Sequence, residues 1–196
     1  MDTEETRRRW AERTGAYSPA YYAHYGPNRV SRRLAELLAD APGTDGAVLE
    51  IGCGSGRHLA HLHDQGFGDL TGVDVNPEAA HVLHTTYPAL ADVCTLYIDP
   101  IEDLVEEVPG DAFEAVFAVE TLQHIHPDAT GVFEGIADIA ADRLITVETE
   151  GDPAAAPNVI DGVPLYYRRY DAVFGDTEFD QVAVETRDRG TLRVFE

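Results

Sequence analysis

Residues Val48 to Asn76 read VLEIGCGSGRHLAHLHDQGFGDLTGVDVN, and no other stretch of the chain restricts its fold as tightly. Val48, Leu49 and Ile51 form a short apolar run, the pattern of a buried strand. Gly52, Gly54 and Gly56 follow at once, around Cys53, where the backbone must turn sharply and a ligand can approach without Cβ atoms in the way. A helix is expected from about Ser55 to Gln65, with its free N–H groups and dipole directed at the turn. A second apolar strand, Leu70 to Val73, leads into Asp74 and Val75. A carboxylate at that strand end can accept hydrogen bonds from both hydroxyls of a ribose. Strand, glycine turn, helix and acid-ended strand together hold an adenosine in α/β proteins.

The rest of the chain continues the alternation. Strands are expected at Ala47–Ile51, Leu70–Val73, Val93–Ile98, Ala112–Ala118 and Arg143–Val147. Helices are expected between them at Pro77–Thr86, Ile101–Glu107 and Pro127–Ala141. Strands that alternate with helices call for a parallel sheet covered on both faces, a three-layer doubly wound α/β fold. The tail differs. Glu150–Pro164 reads as a loop and Tyr167–Phe174 as a helix; Phe179–Glu185 and Thr191–Phe195 read as two strands joined by a tight turn over Arg187–Gly190. Ahead of the sheet, a helix is expected over Thr3–Arg13, an irregular tyrosine-rich segment over Ala16–Asn28, and a second helix capped by Asn28. At 196 residues the expectation is one domain, with residues 1–44 as a helical lid on a core spanning 45–196.

Glycine spacing separates two adenosine ligands. A nicotinamide site prefers Gly-x-Gly-x-x-Gly, and here the third glycine comes one residue early. Glu50, inside the first strand, would repel a pyrophosphate but suits a ligand carrying a sulfonium and an ammonium. With Glu50-Ile51-Gly52-Cys53-Gly54-Ser55-Gly56 followed by Asp74, the chain resembles the class I S-adenosylmethionine-dependent methyltransferases from about Ala47 onward. That resemblance implies a mostly parallel seven-stranded sheet with an antiparallel last strand. It also implies S-adenosylmethionine as cofactor, with contacts from Glu50, Gly52, Cys53, Gly54, Gly56, Asp74, Val75 and Glu120.

In a doubly wound sheet the ligand lies beyond the carboxyl ends of the strands at the switch point, which gathers Gly52, Asp74, Asp99 and Glu120 around one crevice. By resemblance Asp99 and the Ile101 backbone meet the adenine, although Pro100 removes one backbone donor there, and Asp99 is equally suited to cap the short helix. The segment after the fourth strand, ETLQHIHP, brings Glu120, Thr121, His124 and His126 near the methyl group. His124, with a pKa expected near neutrality, is the candidate general base, or else a structural histidine bonded to backbone. Glu120 either orients an acceptor or bonds backbone. In the lid, Tyr17, Tyr21, Tyr22, His24 and Tyr25 either shape the acceptor pocket and face the sulfonium or pack the first helices. Arg29 is the candidate for the methionine carboxylate, or a solvated residue at a helix start. Tyr166, Tyr167, Arg168 and Arg169 either contact an anionic acceptor or begin a helix.

Composition removes other classes. Acidic residues number 36 against 14 basic ones, a formal charge of −22, and no lysine occurs. Such a surface resembles proteins of salt-loving organisms, in which ions screen self-repulsion. It also opposes nucleic acid, as does the lack of an Asn-Pro-Pro-Tyr-like or Pro-Cys signature. Cys53 and Cys94 have neither disulfide nor zinc spacing, and His58, His61 and His63 do not share one helix face, so no metal site is expected. The charged N-terminus has no leader pattern and no apolar run approaches membrane-spanning length, so a cytoplasmic protein is expected. No repeat or heptad run points to an assembly. The leading expectation is an enzyme methylating an oxygen or nitrogen of a small molecule. A non-catalytic S-adenosylmethionine-binding or regulatory module is the alternative, and an NAD-linked oxidoreductase loses on glycine spacing and Glu50.

Overall fold

A computed structural model of the chain describes residues 1–188 and 190–196. Three helices lead: α1 (Thr3–Ala11), α2 (Pro19–Tyr25) and α3 (Arg29–Asp40). The alternating core follows as β1 (Val48–Ile51), α4 (Arg57–Asp64), β2 (Leu70–Val73), α5 (Glu78–Thr86), α6 (Pro88–Ala91), β3 (Thr95–Tyr97), α7 (Ile101–Glu107) and β4 (Phe113–Val119). A 3₁₀ turn (Leu122–His124), α8 (Val132–Asp138) and β5 (Ala140–Glu148) complete it. The tail contains β6 (Asn158–Ile160), β7 (Val163–Leu165), α9 (Tyr170–Val173), β8 (Gln181–Thr186) and β9 (Thr191–Phe195). The main sheet has seven strands in the order β3-β2-β1-β4-β5-β9-β8. Its pairs are parallel up to β5, and β9 runs antiparallel to both neighbours, as the expected doubly wound sheet requires.

The pleat divides the core in two. Along β4, Val116 and Ala118 join Leu49, Ile51, Leu122, Ile136 and Phe195 on one face. Ala115 and Phe117 join Leu34, Leu38, Leu59, Leu62 and Ile145 on the other. Strand order reverses between β1 and β4, both buried on the two faces, so their carboxyl ends open a crevice over the middle of the sheet. Asn28 caps α3 as its sequence suggests. Its Oδ1 accepts the N–H of Val30 at 2.7 Å, and the Ser31 Oγ accepts the Asn28 N–H at 2.9 Å.

Four segments differ from the sequence expectation. The Ala16–Asn28 stretch contains α2, started by Ser18 as N-cap with Pro19 in the first turn. Glu150–Pro164 is no plain loop: β6 and β7 form a hairpin around Asp161-Gly162, with φ of 49° and 80°. Those are the left-handed values a two-residue hairpin turn demands. The helix expected at Pro127–Ala141 shrinks to α8 because Gly131, at φ 86°, delays its start, and Ala140 already pairs with Phe113 in the sheet. The helix expected from Tyr167 begins at Tyr170. Before it, the Tyr166 N–H donates to the Gln123 carbonyl and the Arg168 carbonyl accepts from Gly151, leaving no helical partners. The turn expected over Arg187–Gly190 includes position 189, which is outside the described residues; at its ends the Arg187 N–H donates to the Gly190 carbonyl. No helix among the described residues is long and apolar enough to cross a membrane.

With 36 acids against 14 arginines, most carboxylates lack a cationic partner, and self-repulsion opposes the compact state. Raising KCl from about 0.1 M to about 2 M is expected to raise the melting temperature by several degrees, since the Debye length falls below about 3 Å. Scanning calorimetry at the two salt levels checks this, and an unchanged or lower transition contradicts it.

Candidate active site

The crevice is a cleft of about 630 Å³. Its floor is the glycine turn. Gly52 and Cys53 both donate N–H groups to the Val73 carbonyl, at 2.8 and 3.1 Å, which ties the turn to the end of β2. The Asp74 carboxylate accepts the Gly54 N–H on one oxygen and the Asn76 N–H on the other, both at 2.8 Å. Burial raises its pKa while those two bonds pull it down. Gly52 has φ 69°, and a Cβ there would lie 2.8 Å from the Thr121 Cβ, so only glycine admits the loop after β4 this close. Gly54, at φ 54°, has open space where a side chain would project. Gly56 does not line the cleft. Its missing Cβ makes room for Leu83 of α5, 2.7 Å away, so its service is packing.

Charged groups stand on one side. Glu50 is 1% exposed, burial pushes its carboxyl well above the usual range, and its Oε2 has no hydrogen-bond partner among the described residues. Arg57, the first residue of α4, also lines the cleft. It stacks on the Tyr22 ring with its guanidinium carbon 4.6 Å from the centroid, and has no ion-pair partner among the described residues. Burial, with Glu120 nearby, pushes the Tyr22 hydroxyl up to about 12, so it stays protonated. Arg29 and Tyr21 are not in the cleft wall. Arg29 is exposed at the start of α3, and Tyr21 packs edge-on against Tyr22 and Tyr25. Arg57 and Tyr22 occupy the wall where those two were expected.

Opposite them runs the segment after β4. Glu120 lines the cleft at φ 51°, an uncommon conformation for a residue with a side chain, and its N–H bonds the Val147 carbonyl at 2.8 Å. His124 also lines the cleft. Its Nδ1 lies 3.0 Å from the Pro164 carbonyl, which only accepts, so Nδ1 carries the proton and Nε2 holds a lone pair beside the Gln123 amide nitrogen at 3.3 Å. Burial pulls its pKa down to about 4, against the pull of the Pro164 bond. The near-neutral value expected from sequence is thus corrected, and both expected roles coincide: the ring is bonded to backbone and faces the cleft. Behind it Glu148, fully buried at the end of β5, accepts the N–H groups of Thr121 and Leu122 at 3.0 Å and of Gln123 at 3.2 Å. Burial pushes that carboxyl up to about 8 while the three donors pull it down.

A cap closes the outer end. Asn76 donates from Nδ2 to the Trp10 and Arg13 carbonyls at 3.1 and 2.9 Å, pinning the end of α1 over the turn. Trp10 packs on His124 with ring centroids 4.6 Å apart. Arg9 and Arg13 donate to the Gly162 and Asp161 carbonyls at 2.5 and 2.8 Å, joining α1 to the β6–β7 hairpin. At the other end Asp99 and buried Ile101 line the cleft beyond β3; Asp99 does not cap α7, whose N-cap is Pro100 with no side-chain bond. Cys53, Val75, Thr121 and His126 line it too. His58 is buried with Nδ1 2.9 Å from the Ser31 Oγ and a pKa pulled down by burial to about 3, and no metal-binding cluster forms among the described residues.

The sequence reading missed Trp10, Arg13, Arg57, Gln123 and Glu148. Arg57 had a signal, being the first cation after the glycine turn. Glu148 had none, because a glutamate at a strand end is ordinary until the loop it serves is folded beside it.

A family profile described as a methyltransferase domain matches residues 22–169. An O-methyltransferase of Pyrenophora dematioidea is 22% identical over 122 residues, covering 62% of this chain and 45% of that protein. A tRNA U34 carboxymethyltransferase of Colwellia psychrerythraea is 29% identical over 119 residues, covering 60% and 35%. The chain therefore spans less than half the length of these relatives. Among solved structures, the Burkholderia thailandensis 1,6-didemethyltoxoflavin-N1-methyltransferase, with its substrate and S-adenosylhomocysteine bound, superimposes with a TM-score of 0.67 at 19% identity, covering 93% of this chain and 92% of that one. That likeness shows the fold.

Buried His58 and half-buried His124 have pKa values below the unfolded value of about 6.5. Each therefore contributes stability that is present above that pH and is lost as pH falls toward about 4 for His124 and about 3 for His58. Nitrogen-detected NMR is expected to find both rings neutral at about pH 5. A titration midpoint above about 6 for either contradicts burial as the governing cause.

Proposed function

The chain belongs to the methyltransferase-domain family, and from that premise we propose that it moves the methyl group of S-adenosylmethionine to an oxygen or nitrogen of a small molecule. The observation that carries the reading is a buried Glu50 oxygen with no hydrogen-bond partner among the described residues and an Arg57 guanidinium held over the Tyr22 ring, both in the same cleft. A buried carboxyl oxygen left without a donor is costly, and a ligand that presents an ammonium to Glu50 and a carboxylate to Arg57 gives each a partner. The amino-acid end of the donor has both groups. A pyrophosphate has neither, and would meet the Glu50 charge.

The other contacts extend from that pair. Asp74, oriented by two N–H bonds, faces a ribose, with Val75 beside it, while Asp99 and Ile101 bound the adenine end. Gly52, Cys53 and Gly54 line the floor between. The donor supplies a methyl group already activated by the sulfonium charge, so the chain has only to align an acceptor and take up its proton. His124 is the group for that proton, since its Nδ1 is committed to the Pro164 carbonyl and Nε2 is left as the acceptor in the cleft wall. Glu120, held in a strained conformation at the mouth, orients the acceptor. The aromatic and apolar wall of Trp10, Ile125, Val163 and Leu165 suits a small molecule, and the surface charge of −22 opposes nucleic acid.

Calorimetric titration with S-adenosylmethionine is expected to give binding, with none for NAD. Arg57→Met is expected to weaken donor binding roughly tenfold to a hundredfold, the worth of a charge-assisted contact, while Arg29→Met leaves it unchanged. Loss on Arg29→Met with no effect of Arg57→Met overturns the assignment, and absence of binding overturns the function.

In an acceptor screen, His124→Ala is expected to lower turnover by about a hundredfold with donor affinity intact. Unchanged turnover removes His124 as base. Donor binding without methylation across phenols, amines and carboxylic acids favours the non-catalytic module.

A further inference from the structure

The segment that carries His124 makes few backbone hydrogen bonds within itself. Thr121 to Ile125 is one 3₁₀ turn between the end of β4 and an exposed loop, and so short a turn cannot satisfy its own end groups. The chain satisfies them from outside with a buried carboxyl at one end and a guanidinium at the other. On the amino side, the buried Glu148 carboxyl accepts three consecutive N–H groups, from Thr121, Leu122 and Gln123. On the carboxyl side, the Arg168 guanidinium donates to the Leu122 carbonyl at 3.3 Å and the Ile125 carbonyl at 2.5 Å. Arg168 is itself fixed over the Phe133 ring, 5.2 Å from its centroid. Between these two groups, Gln123 is held at its carbonyl by the Tyr166 N–H at 2.8 Å and at its Oε1 by the Thr149 N–H at 2.7 Å.

We propose that Glu148 and Arg168 are positioning residues, a two-ended hydrogen-bond clamp that fixes the Thr121–Ile125 turn so that the His124 ring meets Pro164 on one nitrogen and presents the other, beside the Gln123 amide, to the cleft. The clamp rests on the reading of His124 as a group of the active site, but it acts through backbone and touches neither donor nor acceptor.

A cheaper way to fill the space exists, and its absence is informative. A buried carboxyl costs more to desolvate than an apolar side chain of equal volume. Only a carboxyl offers enough lone pairs to take three neighbouring N–H groups, and its Oε1 accepts two of them whether or not the other oxygen is protonated. Glutamine in its place keeps the volume but sets an NH₂ group against one of the donors. The turn is then free to rotate about Thr121, and the His124–Pro164 bond is the first contact to loosen, because it is a single bond at the unclamped middle of the segment.

The test is NMR on the full chain, which needs no acceptor. In Glu148→Gln, amide exchange at Leu122 and Gln123 is expected to rise at least tenfold, and the His124 nitrogen shifts are expected to move from the pure Nδ1–H tautomer to a mixture. Amides of β1, β4 and β5 are expected to stay within about twofold of the parent. Arg168→Gln releases the other end, so the His124 shifts are expected to move in the same direction. If Glu148→Gln does not fold, Arg168→Gln decides the matter by the same two readouts. Unchanged His124 shifts in the folded variants overturn the clamp, as does a uniform rise of exchange across the sheet. Donor titration of the same variants is expected to stay within about threefold of the parent. No donor binding by the parent itself overturns the functional reading and leaves the clamp to be judged by the NMR.

Discussion

The approach of Thr121 to Gly52 is the contact on which the site depends. It joins the turn after β1 to the turn after β4, the two segments flanking the reversal of strand order, and no residue with a Cβ fits at position 52. Everything around it serves that closeness. The Val73 carbonyl holds the Gly52 side through two N–H groups, and Glu148 holds the Thr121 side through three. One is a strand end and the other a buried acid, yet both work by taking up backbone donors that neither short turn can satisfy by itself.

Much of this was legible in the sequence where the signal was local. The glycines at 52 and 54, the acid at 74 and the cap at Asn28 fall within one strand-turn-helix-strand pattern or one helix start, and the structure has the turn, the strand end and the cap where that pattern required them. The β6–β7 hairpin was legible in principle: Asp161-Gly162 between Val159-Ile160 and Val163-Pro164-Leu165 is a hairpin signature, masked by the prolines and glycines around it. Gly56 stands in the string like its neighbours, because a glycine needed for packing against Leu83 is indistinguishable there from one that faces a ligand. Arg29 and Tyr21 were chosen by their place in the lid, and the helical phase of α2 and α3 turns both away from the cleft.

Glu148, Gln123 and Trp10 were not legible at all, since their roles exist only across long separations in sequence. Glu148 acts about 25 residues from the N–H groups it holds, and Trp10 meets His124 from the opposite end of the chain. The same holds for the titration of His124. A histidine in a loop suggests a near-neutral pKa, but Trp10 and Pro164 are brought over it only by folding, and the burial they impose decides the shift. An acid-rich surface and a cleft that holds a guanidinium and a buried carboxyl are thus two separate uses of ionisable groups, the first directed at solvent and the second at the proposed ligand.

The most direct measurement is a crystal structure of the protein soaked with S-adenosylhomocysteine. The ligand ammonium is expected within hydrogen-bond distance of Glu50, its carboxylate on Arg57, both ribose hydroxyls on Asp74 and its sulfur facing the His124 side of the cleft. A ligand whose amino-acid end turns away from Glu50 and Arg57, or one that leaves the cleft empty at saturating concentration, contradicts this placement.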